Sequence, residues 1–97
     1  MIKVSEKSQT VREEKRTDNG IEYKYTLSVR RSDRTASYGL ALYSIKVEMT
    51  DLTGAVSEAN LVDAFRSAEL AFRFFDRVVD NLATPIDLPF VFDDEKY

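Results

Sequence analysis

Residues 67 to 82 read SAELAFRFFDRVVDNL, the one long segment of this chain with a strong helical period. At about 100° per residue, Ala71, Phe75, Val78 and Leu82 fall on one line. Ala68, Phe72 and Val79 lie on one flank of that line, and Leu70 and Phe74 on the other. Glu69, Arg73, Asp76, Arg77 and Asp80 fill the opposite side. Such a helix needs an apolar surface to lie on. Its apolar arc, about 200° wide, is broader than one helix–sheet contact requires. Ser67 is the expected N-cap, with Glu69 in the first turn where the helix dipole favours an anion. Asn81 is the expected left-handed residue at the end of the helix.

The surface is found upstream. In Ile21–Arg30 the residues Ile21, Tyr23, Tyr25, Leu27 and Val29 alternate with Glu22, Lys24, Thr26, Ser28 and Arg30, which predicts a half-buried strand. Before it, residues 2 to 15 alternate weakly and carry many charges, as an edge strand does. Asp18-Asn19-Gly20 reads as the hairpin turn between the two. After the turn region 31–37, Tyr38, Leu40 and Leu42 resume the alternation. A four-residue loop, 32–35, would pair Val29 with Tyr38, Leu27 with Leu40 and Tyr25 with Leu42.

Beyond Leu42 the parity flips, and Tyr43, Ile45, Val47 and Met49 carry the apolar pattern. Two explanations stand. A bulge near residues 42–44 restores the face, the favoured reading, or both faces of this strand are covered, as in an oligomer. Asp51-Leu52-Thr53-Gly54 is the next turn, and residues 55–65 read as a fourth strand whose small residues suit close contact, the alternative being an early start of the helix over Glu58 to Phe65. Thr84-Pro85-Ile86-Asp87 looks like a capped helix start. Pro89 predicts a break after one turn. Ile86, Leu88, Phe90 and Phe92 are expected to cover one margin of the long helix, with an acidic tail from about 93 to 97.

The predicted fold is α+β. An antiparallel meander of three to four strands carries one long amphipathic helix on one face, with a short C-terminal helical turn, all in one domain over residues 1–97. From about Tyr38-Gly39 onward, the chain resembles a family of short uncharacterised proteins from clostridia and related Firmicutes. The residues that carry the resemblance are Tyr38-Gly39, the following strand, the amphipathic helix and Thr84-Pro85-Ile86-Asp87-Leu88. It implies a bacterial protein and brings no functional residues with it. Where that family continues with a helix, this chain has Pro89.

Composition narrows the chemistry. Of 97 residues 43% are hydrophobic, enough for a core, and no apolar run approaches the roughly 20 residues that span a bilayer. The start of the chain has no apolar stretch of the signal-peptide kind and reads as mature sequence. There is no cysteine, which fits a reducing cytoplasm, and no histidine, the commonest general base and metal ligand. No serine sits in a Gly-x-Ser-x-Gly setting, and the three glycines form no phosphate loop. Glu48 with Asp51 and Glu58 with Asp63 read as solvated carboxylates. Asp93-Asp94-Glu95 lacks the glycine turn of a calcium loop. No catalytic residue, cofactor or metal site is expected.

Charge is uneven. Residues 1–48 hold ten Lys/Arg against seven Asp/Glu, and residues 49–97 hold four against ten. The expected role is a non-catalytic protein–protein interaction or self-associating module. Its expected surface comprises Leu70, Phe72, Tyr43, Ile45, Val47, Arg30, Arg31 and Arg34. The alternative is a small ligand or nucleic acid held by the sheet and the Arg30/Arg31/Arg34 hairpin. Against it, Tyr23, Tyr25 and Tyr38 belong to the apolar face, and the domain is acidic overall.

Overall fold

The structure, a computed structural model, describes residues 8–31 and 39–95. Four antiparallel strands lie in the order β1-β2-β3-β4: β1 (Gln9–Asp18), β2 (Ile21–Arg31), β3 (Ala41–Thr50) and β4 (Val56–Phe65). Two helices follow, α1 (Ala68–Asp80) and α2 (Leu88–Glu95). The fold is the α+β meander that the alternation and the helical period predict. Residues 2–7 of the expected first strand, and Tyr38 of the expected hairpin, lie outside the described residues.

The β1–β2 turn is the two-residue loop Asn19-Gly20, with φ of 52° and 82°. Both positive angles match the twist of the strands they join, and asparagine and glycine adopt them at least cost. At Gly20 an added Cβ would stand 2.5 Å from Cδ2 of Leu52, only the tip of an exposed side chain that can turn aside, so the positive φ is what selects glycine. β1 runs on to Asp18, three residues further than the sequence pattern marks.

β2 and β3 pair in a register that differs from the expected one. Val29 faces Tyr43, Leu27 faces Ile45, Tyr25 faces Val47 and Tyr23 faces Met49. The connection therefore runs to residue 40 instead of closing over 32–35, and Leu40 is 43% exposed ahead of the strand. Leu42 pairs with Arg30 on the outer face. This register removes the parity flip: Tyr43, Ile45, Val47 and Met49 share the inner face with β2's apolar row, without a bulge in β3. A period of two fixes which residues share a face and says nothing about how far a loop carries the chain.

α1 lies across the inner face. Ala71, Phe74, Phe75 and Val78 are fully buried against Tyr25, Leu27, Ile45 and Val47, and Val79 nearly so. At about 1.5–3 kcal/mol for each large apolar side chain, this contact dominates the fold's stability. Ser67 caps the helix as expected, its Oγ accepting the Leu70 amide at 3.2 Å. At the other end Leu82, not Asn81, takes the left-handed conformation (φ 49°). The Ala83 amide donates to the Val78 carbonyl and the Leu82 amide to the Val79 carbonyl, the double bond pattern of a Schellman end. Asn81 instead keeps its φ at −95° and turns its side-chain amide onto the Arg77 carbonyl. The hydroxyl of buried Tyr25 reaches up from β2 and donates to the Ala83 carbonyl at 3.0 Å.

Thr84 and Asp87 cap each other, each side chain accepting the other's amide at 3.2 Å. The chain does not break at Pro89. Proline stands second in α2, where the missing amide falls in the first turn and costs little. Phe90 and Val91 amides both donate to the Asp87 carbonyl. The acidic residues 93–95 belong to α2 rather than to a tail. Leu88 is buried, while Ile86 and Phe90 point away, 77% and 67% exposed. The margin of α1 beside β4 is closed by Phe92 and Leu88, not by all four expected residues.

Candidate interaction surface

Two strands end the sheet, and α1 meets each differently. At the β1 margin a one-residue bulge between Thr10 and Arg12 brings Arg12 opposite Leu27, on the inner face. Arg12 then reaches α1. Its guanidinium lies 5.7 Å from the ring centre of Phe72 and 5.4 Å from that of Phe75. Its Nη2 bonds Asp76 at 2.9 Å. A charged group thus covers the apolar flank, its stem packing while its head stays wet. At the β4 margin three rings meet: Phe65 is 5.2 Å from Phe74 and 5.5 Å from Phe92, and Phe74 is 6.0 Å from Phe92. Two of these contacts are near-perpendicular, a favoured aromatic geometry.

β4 carries a wider irregularity. Ile45 pairs with Leu61 but Tyr43 pairs with Phe65, so β4 advances four residues while β3 advances two. The extra length is even, so Leu61 and Phe65 both still face inward. Asp63 sits in it with φ of 53°, strained for a residue other than glycine. Three bonds hold it there. Its amide donates to Ser44 Oγ at 2.8 Å. Arg30 donates from Nε to Oδ1 at 3.1 Å and from Nη2 to Oδ2 at 2.6 Å, a two-pronged ion pair. A bulge does lie beside residues 42–44, but its additional residues are in the partner strand.

The residues expected at an interaction surface are spread over the molecule. Ile45 and Val47 have no exposure at all, and Tyr43 is partly buried against the same core. This corrects their placement at a surface: the register puts them under α1. Phe72 lies half-buried beneath Arg12. Leu70 is open, at 48%. Arg30 is held by Asp63, and Arg31 donates to the Gly39 carbonyl at 2.9 Å. Arg34 lies outside the described residues. Tyr23 and Tyr25 are stacked in the core, 9% and 0% exposed, so neither offers a ring to a base.

Several apolar side chains outside the expected interaction surface are exposed. Val56 (62%) and Val62 (69%) stand on β4, and Ile86 and Phe90 on the segment leading into and along α2. The signal was present, since Val56 and Val62 have the outward parity of an edge strand, but the sequence does not say that β4 is an edge. The outer face of the sheet is polar. Glu13 pairs with Lys24 at 3.3 Å, and Lys46 with both Glu58 (3.3 Å) and Glu48 (3.8 Å). A shallow depression of about 490 Å³ opens there, lined among others by Lys15, Lys24, Glu22 and Glu48. Its charges of both signs neutralise one another. Among the described residues no group of three or more Asp or Glu is placed to hold a metal ion, and no helix is long and apolar enough to cross a membrane.

A family model matches residues 1–95, and its description is "Family of unknown function (DUF6514)". The match extends well upstream of Tyr38, where the resemblance seen in the sequence begins. No curated protein and no solved structure matches the chain.

Proposed function

The chain belongs to that family, and on this premise we propose that it is a non-catalytic protein–protein interaction module that associates with itself. The observation that carries the reading is the distribution of exposed apolar side chains. Among the described residues six large apolar side chains are at least 48% exposed: Leu52 in the β3–β4 turn, Val56 and Val62 on β4, and Leu70, Ile86 and Phe90 in the helical layer. Exposed apolar side chains of that number are what association removes from water. The chain's lack of histidine and cysteine supports a role without catalysis, and the lack of cysteine suits work in the cytoplasm.

Light scattering across a concentration series tests it. A mass that rises from monomer to dimer supports the module. A strict monomer up to about 1 mM, weaker than any useful self-affinity, overturns it.

A further inference from the structure

We propose that the free edge of β4 is a self-complementary pairing strand. Two copies join their β4 strands antiparallel about a two-fold axis at Ala59, extending each four-stranded sheet into the other. The inference rests on the self-association reading and names its surface.

Two facts single out this edge. First, β4 ends the sheet, and among the described residues no strand pairs with its far side. Such an edge presents a row of amides and carbonyls to any strand that fits. Second, its sequence fits its own copy. In an antiparallel pair, residues directly opposite share a face. With the axis at Ala59, Val56 meets the copy's Val62, Ser57 meets Leu61, and Glu58 meets Asn60. Both exposed valines, 62% and 69% accessible in the single chain, then pack side by side across the seam on the outer face. No like charges face. The small side chain of Ala59 lies where two copies approach most closely.

Neighbouring registers are worse. An axis at Glu58 sets that carboxylate against its own copy, and like charges directly opposite are destabilising. An axis at Asn60 sets Glu58 against Val62. The only other charge on β4, Asp63, is already occupied by Arg30. It lies beyond the paired segment, where the bulge turns the strand out of regular pairing and so limits the ladder to residues 56–62.

The register makes a test by charge placement. Val56→Lys with Val62→Lys sets lysine against lysine at both ends of the ladder. Val56→Lys with Val62→Glu sets lysine against glutamate at both ends. Both sites are exposed, so the fold should hold, and circular dichroism with a thermal scan checks that each variant does. Sedimentation velocity on the full chain then reads the dimer. We expect the Lys/Lys variant to weaken dimerisation at least about tenfold. We expect the Lys/Glu variant to dimerise near the wild-type level and to weaken as salt is added. A Lys/Lys variant that dimerises like wild type overturns the β4 edge while the module reading stands. A Lys/Glu variant as weak as Lys/Lys overturns the two-fold at Ala59. A wild-type chain that stays monomeric overturns both readings at once.

Discussion

β1 and β4 each end the same sheet, yet β1 carries six charged residues in ten and β4 carries two. On β1 the charges stand on both faces: Glu13 and Lys15 outward, Arg12, Glu14 and Arg16 inward. The helix margin above β1 is closed by Arg12, and the margin above β4 by a cluster of phenylalanines. The difference teaches how one small domain divides its labour. A strand studded with charge on both sides resists pairing with another strand. β4 lacks that defence: its two carboxylates are each in an ion pair, Glu58 with Lys46 and Asp63 with Arg30, and its valines face outward. The apolar weight of the helical layer sits on the open side.

The largest test of that contrast removes the aromatic side. Phe74 is fully buried between Phe65 and Phe92. Phe74→Ala should cost about 3–5 kcal/mol, by lost transfer energy and the cavity left behind. Chemical denaturation reads this directly. A loss below about 1 kcal/mol would mean that the β4 margin does not rest on these rings.

The seam between the margins is Tyr25. Burial, with Tyr23 beside it, pushes its hydroxyl up from the ordinary 10 to about 12. The folded state therefore holds this proton more tightly than the unfolded chain does. The stability linked to it is whole below pH 10 and lost as pH rises from 10 to 12. Tyr25→Phe has no proton to lose. It should cost about 1 kcal/mol at neutral pH, from the Ala83 carbonyl left unbonded, and lie flatter than wild type between pH 10 and 12. Parallel curves for the two proteins would rule out Tyr25 as the group that titrates.

At the β1 margin the effect should be smaller. Arg12 and Asp76 are 38% and 56% exposed, so their ion pair counts for little in water. Arg12→Ala loses that pair, the contact with two rings and the packing of the stem, together about 1 kcal/mol. Arg12→Met keeps the stem and should recover part of it. Unfolding in low and high salt separates the charge contribution, which salt screens, from the packing, which it does not.

These residues also mark what the sequence could and could not announce. The apolar rows of β2 and α1, the Asn19-Gly20 turn and the Ser67 cap are local patterns, and each is found where the pattern put it. The sequence misplaces the β2–β3 register because Leu40 and Leu42 imitate the row that Tyr43 to Met49 supply, and periodicity carries no loop length. Arg12 looked like one more edge charge. Only the bulge at Val11, which no residue type there demands, turns it over Phe72. Pro89 reads as a stop when its helix is counted from Thr84, while the helical run begins at Leu88. Of the expected surface, Leu70 is open, and Ile45 and Val47 went to the core with the corrected register. Val56 and Val62 needed the sheet order before their exposure had meaning.

The finest distinction between the two sides lies in their turns. The β1–β2 turn is held by backbone angles at Asn19 and Gly20, which no proton alters. The β3–β4 turn is held by a carboxylate. Asp51 Oδ1 accepts the Thr53 hydroxyl at 2.6 Å, the Thr53 amide at 2.9 Å and the Ala55 amide at 3.0 Å. The Thr53 hydroxyl, then the amides of Thr53 and Ala55, hold the Asp51 carboxyl below the usual carboxylate range. A group whose folded value is depressed adds stability above its unfolded value, near pH 4, and loses it as the pH falls through the folded one. The turn that leads into β4 should therefore loosen in acid while the turn that follows β1 does not. Hydrogen exchange at the Thr53 and Ala55 amides, corrected for intrinsic rates, should lose protection below about pH 4 relative to the Ile21 amide, which faces Asp18 across the β1–β2 turn. Asp51→Asn should show that lower protection already at neutral pH. Equal acid response at both turns would mean that the carboxylate does not hold the entrance to β4.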